Sequence, residues 1–199
     1  MHHRLIDSLF PKQCAACRTP GSGLCERCAP SAAALVERRL PTLDVVALGE
    51  YSGAYRSAVY ALKDGRRDVA EALGSRLASM VRADDILVPV PTTASRKRMR
   101  GFDGVDLMSC VAGIDAGAVT LAVLKCVGKE TQRGRSRVER LAAHGRFLCP
   151  SDLVDGCTVT LVDDVCTTGA TLEDCAAVLR AAGARVTKAF VVAIANGKA

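Results

Sequence analysis

The chain contains no tryptophan, only three tyrosines and four phenylalanines among its 199 residues. Proteins that hold single-stranded nucleic acid stack successive bases on exposed rings. Such platforms are scarce here, so direct nucleic-acid binding ranks behind other functions. Long apolar runs are missing too. None approaches the ~20 residues needed to span a bilayer. Residues 1–10 lack the apolar core and small-residue cleavage site of a secretory signal. The expectation is a cytoplasmic protein with no membrane contact. Internal repeats and low-complexity tracts are also lacking. In a reducing compartment ten cysteines do not build a disulfide framework, so they need another explanation.

What is present is enough for one medium domain with a small appendage, 49 % apolar by composition. The net charge is +6, and two segments carry more than all of it. Residues 96–100 hold four cations, and residues 125–140 hold six against Glu130 and Glu139. Positive charge clustered in this way points to an anionic partner, a polyphosphate or a nucleic acid.

Four cysteines pair as Cys14/Cys17 and Cys25/Cys28, two CxxC knuckles seven residues apart. Two such knuckles turn four thiolates toward one ion, the donor set of a structural zinc site. About thirty residues have little core of their own, so a metal would supply their stability. A redox CxxC is the competing explanation. The other six cysteines are scattered among apolar residues and read as small buried hydrophobes. Cys166 is the exception, because a helix N-terminus beside it would lower its thiol pKa and make it oxidation-sensitive.

The most informative stretch is VTLVDDVCTTGAT, residues 159–171. Its β-branched run reads as a buried parallel strand. Ligands in open α/β sheets bind beyond the carboxyl ends of such strands. Asp163 and Asp164 are placed there to accept from two sugar hydroxyls. Thr167, Thr168, Gly169, Ala170 and Thr171 have only small side chains, so their backbone N–H groups can close on a phosphate. The helix that follows adds its positive end. A strand ending in a polar turn and a capped helix would be the plain alternative, but it leaves two adjacent acids without use.

Elsewhere, residues 31–42 read as a short helix or linker and 44–51 as a strand. Helices are expected over 54–63, with Tyr55, Val59 and Leu62 on one face, and over 68–81, with Val69, Leu73, Leu77 and Met80. A strand at 86–91 leads into a basic loop, 96–100, then a helix at 105–111 and a strand at 121–127. Residues 128–146 are polar and Arg-rich and read as a long excursion. A helix at 172–182, with Leu172, Cys175, Ala176 and Leu179 inward and Gly183 as its stop, precedes a last strand at 186–194. Strands alternating with helices imply a mostly parallel sheet flanked by helices, with right-handed crossovers.

The strand, acidic pair and Thr-Thr-Gly-Ala-Thr loop resemble the signature with which type I phosphoribosyltransferases bind 5-phosphoribosyl-1-pyrophosphate (PRPP). Further segments resemble the ComF family, competence-type members with an N-terminal zinc ribbon. They are the double CxxC, Tyr51-Ser-Gly with Lys63 downstream, Val88-Pro-Val-Pro, Arg96 with Arg100-Gly101-Phe102, Thr131-Gln132, Glu139-Arg140 and Phe147. Two positions depart from that pattern: Asp103-Gly104 stands where an Asn-Gln pair is usual, and Ala143 or His144 where an Asn precedes Phe147.

The resemblance implies a type I phosphoribosyltransferase fold over 43–199 behind a zinc ribbon and linker at 1–42. It implies transfer of phosphoribosyl to or from a nitrogenous base, with Mg²⁺ on the pyrophosphate and structural Zn²⁺ on Cys14, Cys17, Cys25 and Cys28. Asp163 and Asp164 would hold the ribose and the 167–171 loop the 5′-phosphate. Arg96, Arg100 and the Gly101 backbone would meet the pyrophosphate. The 128–146 excursion would act as a lid bringing Lys129, Arg133 and Arg135, with Arg133 catalytic. PRPP or a nucleoside monophosphate would be the ligand. Implied partners are the competence helicase, single-stranded DNA or a second copy of the chain. A non-catalytic sensor or adaptor in DNA uptake stands as the alternative.

Overall fold

The computed structural model describes residues 12–30, 34–127 and 146–195. Its central sheet has six strands: β1 (Val36–Arg39), β2 (Asp44–Glu50), β3 (Ile86–Pro89), β4 (Val119–Thr120), β7 (Thr158–Cys166) and β8 (Arg185–Ile194), in the order β1-β2-β8-β7-β3-β4. Every neighbouring pair is parallel except β1 with β2. A separate antiparallel pair joins β5 (Lys125–Cys126) to β6 (Phe147–Leu148). The helices are α1 (Gly53–Lys63), α2 (Arg67–Leu77), α3 (Ala94–Arg100), α4 (Gly104–Ala116) and α5 (Ala170–Ala181). The mostly parallel α/β sheet and the N-terminal four-cysteine cluster expected from the sequence are both present.

The sheet is buried on both faces, and strand alternation divides its side chains between two cores. Leu161 and Val88 face a core shared with Leu172, Cys175 and Leu179 of α5. Their neighbours Val162 and Leu87 face the other, shared with Val59 and Leu62 of α1, Leu73 of α2 and Met108 of α4. Each large side chain buried in this way contributes about 1.5–3 kcal/mol of transfer free energy. The inward faces expected for α1, α2 and α5 all lie in these cores, with Tyr55 and Met80 partly buried at the margin.

The second core extends into the N-terminal knuckle. Leu24, between the two CxxC pairs, is fully buried there. Gly23 lies so close to α2 that a Cβ would come within 2.4 Å of the Asp68 carbonyl oxygen, which excludes any side chain at that position.

Several local expectations give way. Residues 36–39 form β1, because an edge against β2 supplies the backbone partners that a short isolated helix would lack. The basic segment expected to be a loop is α3, capped by Thr93, whose hydroxyl accepts from the Arg96 N–H at 3.4 Å. The single strand expected at 121–127 resolves into β4 and β5, at 119–120 and 125–126, in different sheets. α4 runs on to Ala116, well past the expected end at 111.

The chain changes direction between β3 and β7. From β3 the connection moves outward to β4; from β7 it moves the opposite way to β8. That divergence leaves a crevice beyond the carboxyl ends of these two strands, where ligands bind in open α/β sheets.

Candidate functional site

At that crevice lies a cleft of about 480 Å³. β3 ends first, its last register partner being Val162, and the Val90 N–H then donates to the Val162 carbonyl at 2.8 Å. Among the described residues, β7 has no strand on its β3 side past that point, while it stays paired with β8 as far as Cys166. Asp163 and Asp164 therefore sit within the last four residues of β7, past the end of β3, and both line the cleft.

The two acids are not equivalent. The Asp164 backbone N–H donates to Asp163 Oδ1 at 2.7 Å. Asp164 Oδ2 lies 3.1 Å from the Lys63 ammonium at the end of α1. Burial, then the neighbouring Asp164 carboxylate, push the Asp163 carboxyl well above the usual range, against the pull of the Asp164 N–H and Lys63. A carboxyl whose protonated form is favoured in this way can donate to a hydroxyl as well as accept from one.

The hydroxyl-bearing loop follows directly. Thr167 and Thr171 line the cleft. Thr168, Gly169 and Ala170 adjoin it without lining it. Gly169 is the N-cap of α5 in the left-handed region (φ +86°), and a Cβ there would meet Leu40 Cδ1 at 2.5 Å. Glycine alone lets the chain turn this tightly into the helix. The Ala170 N–H donates to Thr168 Oγ1 at 3.4 Å.

Across the cleft, Arg96 and Arg100 of α3 both line the wall, and Gly101 caps α3 in the left-handed region (φ +79°) without lining it. Among the described residues, the Nε of Arg100 is buried with no hydrogen-bond partner. A buried guanidinium N–H without an acceptor is costly. Arg146 also lines the cleft, its guanidinium 5.5 Å over the Phe147 ring. Arg133, Lys129 and Arg135, the expected lid cations, lie outside the described residues, as do Thr131, Gln132, Glu139, Arg140, Ala143 and His144.

Asp103, one of the positions departing from the ComF pattern, lines the cleft as a clamp. Its Oδ1 accepts from the N–H groups of Val105 (3.2 Å) and Asp106 (3.4 Å), and its Oδ2 accepts from the Thr92 N–H at 3.1 Å. It caps α4 and ties that helix to the segment leaving β3. Residues that sequence reasoning missed are this clamp and Arg38 of β1, whose guanidinium donates to the Thr167 carbonyl. A helix-starting Asp followed by Gly was a legible signal for the first. Nothing local in the sequence marks the second.

Cys166 corrects an expectation. It ends β7 with its side chain in the core, 2 % exposed, and burial raises its pKa against the opposing pull of Arg38. The helix end that was to activate it begins four residues later, past the loop. It is a packing cysteine, as is Cys175, which burial also pushes up.

The four knuckle cysteines converge. Their Sγ atoms all lie within 4.8 Å of one another, and Cys17 and Cys25 are 3.6 Å apart. A zinc tetrahedron with ~2.3 Å arms has edges of about 3.8 Å, so the donors fit that ion. The thiols are strongly split. Thr19 and Arg27 bring Cys17 down to about 5, while Cys17 and Cys25 push Cys28 up to about 12. Four thiols this close cannot all ionise without a cation among them. Four protein donors would leave no open position on such an ion.

No protein-family model matches the chain. No curated protein matches it either. Solved structures match part of it, among them the following two. One is a glutamine PRPP amidotransferase from B. subtilis complexed with ADP and GMP, 20 % identical, covering 63 % of this chain and 27 % of its own, with a TM-score of 0.47. The other is described as the allosteric regulatory enzyme of purine biosynthesis, 21 % identical, covering 61 % and 26 %, with a TM-score of 0.44. The chain spans about a quarter of the length of either protein. Among the described residues, no helix is long and apolar enough to cross a membrane.

Proposed function

We propose that this chain is a phosphoribosyltransferase of the type I fold, binding the phosphoribosyl group of PRPP and passing it to, or accepting it from, a nitrogenous base. The observation that carries this reading is the meeting of three parts in one cleft: the acidic pair on β7, Thr167 and Thr171 beside it, and Arg96 and Arg100 opposite. In type I chemistry the bond to pyrophosphate breaks early and leaves a sugar with oxocarbenium character. Asp163 and Asp164 hold the two ribose hydroxyls, fixing the ring. The 167–171 loop and the start of α5 take the 5′-phosphate. Arg96 and Arg100 take the leaving pyrophosphate, whose charge grows as the bond breaks. Mg²⁺ would neutralise pyrophosphate oxygens, keeping several of its waters. Arg133, outside the described residues, would be the cation at the reacting centre if the 128–146 segment serves as the lid that the ComF resemblance implies.

Residues 1–42 form a metal-stabilised lobe in this reading, with Zn²⁺ on Cys14, Cys17, Cys25 and Cys28, and residues 43–199 the transferase part. Its place in the cell would be cytoplasmic, in competence and DNA uptake beside the helicase and single-stranded DNA, on the strength of the ComF resemblance. One observation favours a second reading, a sensor that binds PRPP or a nucleoside monophosphate without turning it over. Asp103 adds a third acid to the cleft where the ComF pattern has an amide. Release of pyrophosphate from PRPP with a panel of bases and Mg²⁺ separates the two. Turnover with any base supports the transferase. Tight PRPP binding without turnover supports the sensor. Failure to bind PRPP or ribose 5-phosphate removes both.

A further inference from the structure

Lys63 is the last residue of α1, and the turn after it is gripped from two sides. On the cleft side, the Lys63 ammonium lies 3.1 Å from Asp164 Oδ2, and both residues line the cleft. In the same turn Gly65 lies against the end of α3: a Cβ there would stand 3.5 Å from the Arg100 carbonyl oxygen. On the other side stands the cysteine knuckle. Arg66, next in the turn, donates to the Gln13 carbonyl beside Cys14. Arg76 of α2, its side chain 10 % exposed, donates to the carbonyls of Leu24 (2.7 Å) and Ala29 (3.0 Å), which flank the second cysteine pair. Leu24 is buried in the core that also holds Leu62, the residue before Lys63.

We propose that Lys63 is a positioning residue for the Asp164 carboxylate, and that the four-cysteine knuckle holds it in place through the turn between α1 and α2. The proposal rests on the reading of the acidic pair as the sugar-binding group. Its physical content is simple. A lysine has a long flexible stem, and one ion pair at a half-exposed site does not hold it strongly. Its position is set by where α1 ends. That end is closed by its own backbone bonds, Gly65 N–H to Leu62 and Arg66 N–H to Ala61, and is tied through Arg66 to the Gln13 carbonyl, in a segment too small to keep its shape without an ion on its four thiolates. Loss of the ion releases the carbonyls, the turn, the ammonium and the carboxylate in that order, while the sheet is untouched.

The test is a thermodynamic cycle on the full chain, with ribose 5-phosphate titrated by calorimetry into zinc-loaded and chelator-stripped protein. Lys63→Met is expected to weaken binding about tenfold, the scale of a hydrogen bond to a charged group, and Lys63→Arg to bind within about threefold of the parent. Stripping the parent should weaken binding about as much as Lys63→Met, and stripping Lys63→Met should weaken it no further. Hydrogen exchange gives a readout independent of ligand: stripping should speed exchange in residues 61–67 and leave β7 and β8 protected. Unchanged affinity in Lys63→Met, or losses that add, overturns the proposal. So does stripping that unfolds the whole chain or leaves residues 61–67 unaltered. If the loaded parent binds no ribose 5-phosphate, the functional reading is what fails, and the exchange measurement still decides whether the knuckle sets the turn.

Discussion

The guanidinium of Arg38 donates to the carbonyl of Thr167, the first residue of the loop after β7, and at 3.0 Å to the carbonyl of Ala195 after β8. One side chain on the antiparallel edge strand thus fixes the ends of two central strands. If the loop cradles the 5′-phosphate, its backbone must be held before the ligand arrives, and Arg38 is what holds it. Arg38→Ala is expected to weaken ribose 5-phosphate binding about tenfold by calorimetry while lowering Tm by only a few degrees. Arg38→Lys should recover little, since one ammonium does not span both carbonyls.

Asp163 carries a pH signature. Burial and Asp164 raise its pKa, Asp103 adds to the rise, and Lys63 with the Asp164 N–H opposes it. Between the ordinary carboxylate range and its own raised value, the folded chain holds more protons than the unfolded chain. Stability therefore falls as pH rises through that window. Asp163→Asn removes the cost. The variant should melt a few degrees higher than the parent near neutral pH, on the order of 1 kcal/mol for a chain of this size, with the gain vanishing in acid. The same variant should lose PRPP binding, most completely when combined with Asp164→Asn. Higher stability with lost affinity marks a functional carboxylate; unchanged PRPP affinity in the double variant would remove the site assignment.

The knuckle predicts a stoichiometry. Gently purified protein should contain about one zinc per chain, held by four thiolates. Chelation should lower Tm, because Leu24 and Cys14 belong to the same core as α1 and α2. Cys28→Ser should show the same loss of metal and the same lowered Tm. Metal analysis finding no zinc in such a preparation would sink the claim.

Much of this architecture was legible because the local signals agreed with one another. The period of α1, α2 and α5 matched their buried faces, and the run at 159–165 named both a central strand and the acids at its end. Contiguity made the second possible: β7, the acidic pair and the loop are one uninterrupted segment, so their neighbourhood in space follows from their neighbourhood in sequence. What local signals could not show is long-range pairing. Val36–Arg39 form a strand only because Asp44–Glu50 returns alongside, and Arg38 meets Thr167 across 129 positions of sequence. Cys166 misled because its distance from the α5 N-terminus was read along the chain. Strand alternation turns its side chain into the core instead.

Arg100 offers the sharpest separation of the two ends of the ligand. Among the described residues its Nε is buried without an acceptor, so in the absence of ligand that N–H contributes a desolvation cost and no compensating bond. Removing it should cost the free protein little. Arg100→Met keeps most of the stem and its packing while deleting the guanidinium, and its Tm should match the parent or exceed it slightly. Pyrophosphate affinity should fall by roughly ten- to thirtyfold, the scale of a charge-assisted hydrogen bond lost. Ribose 5-phosphate, which lacks the leaving group, should bind within about twofold of the parent, because the acids and the 167–171 loop are intact. Equal losses for both ligands would mean that Arg100 supports the cleft as a whole. Loss for ribose 5-phosphate alone would place the phosphate ends the other way round.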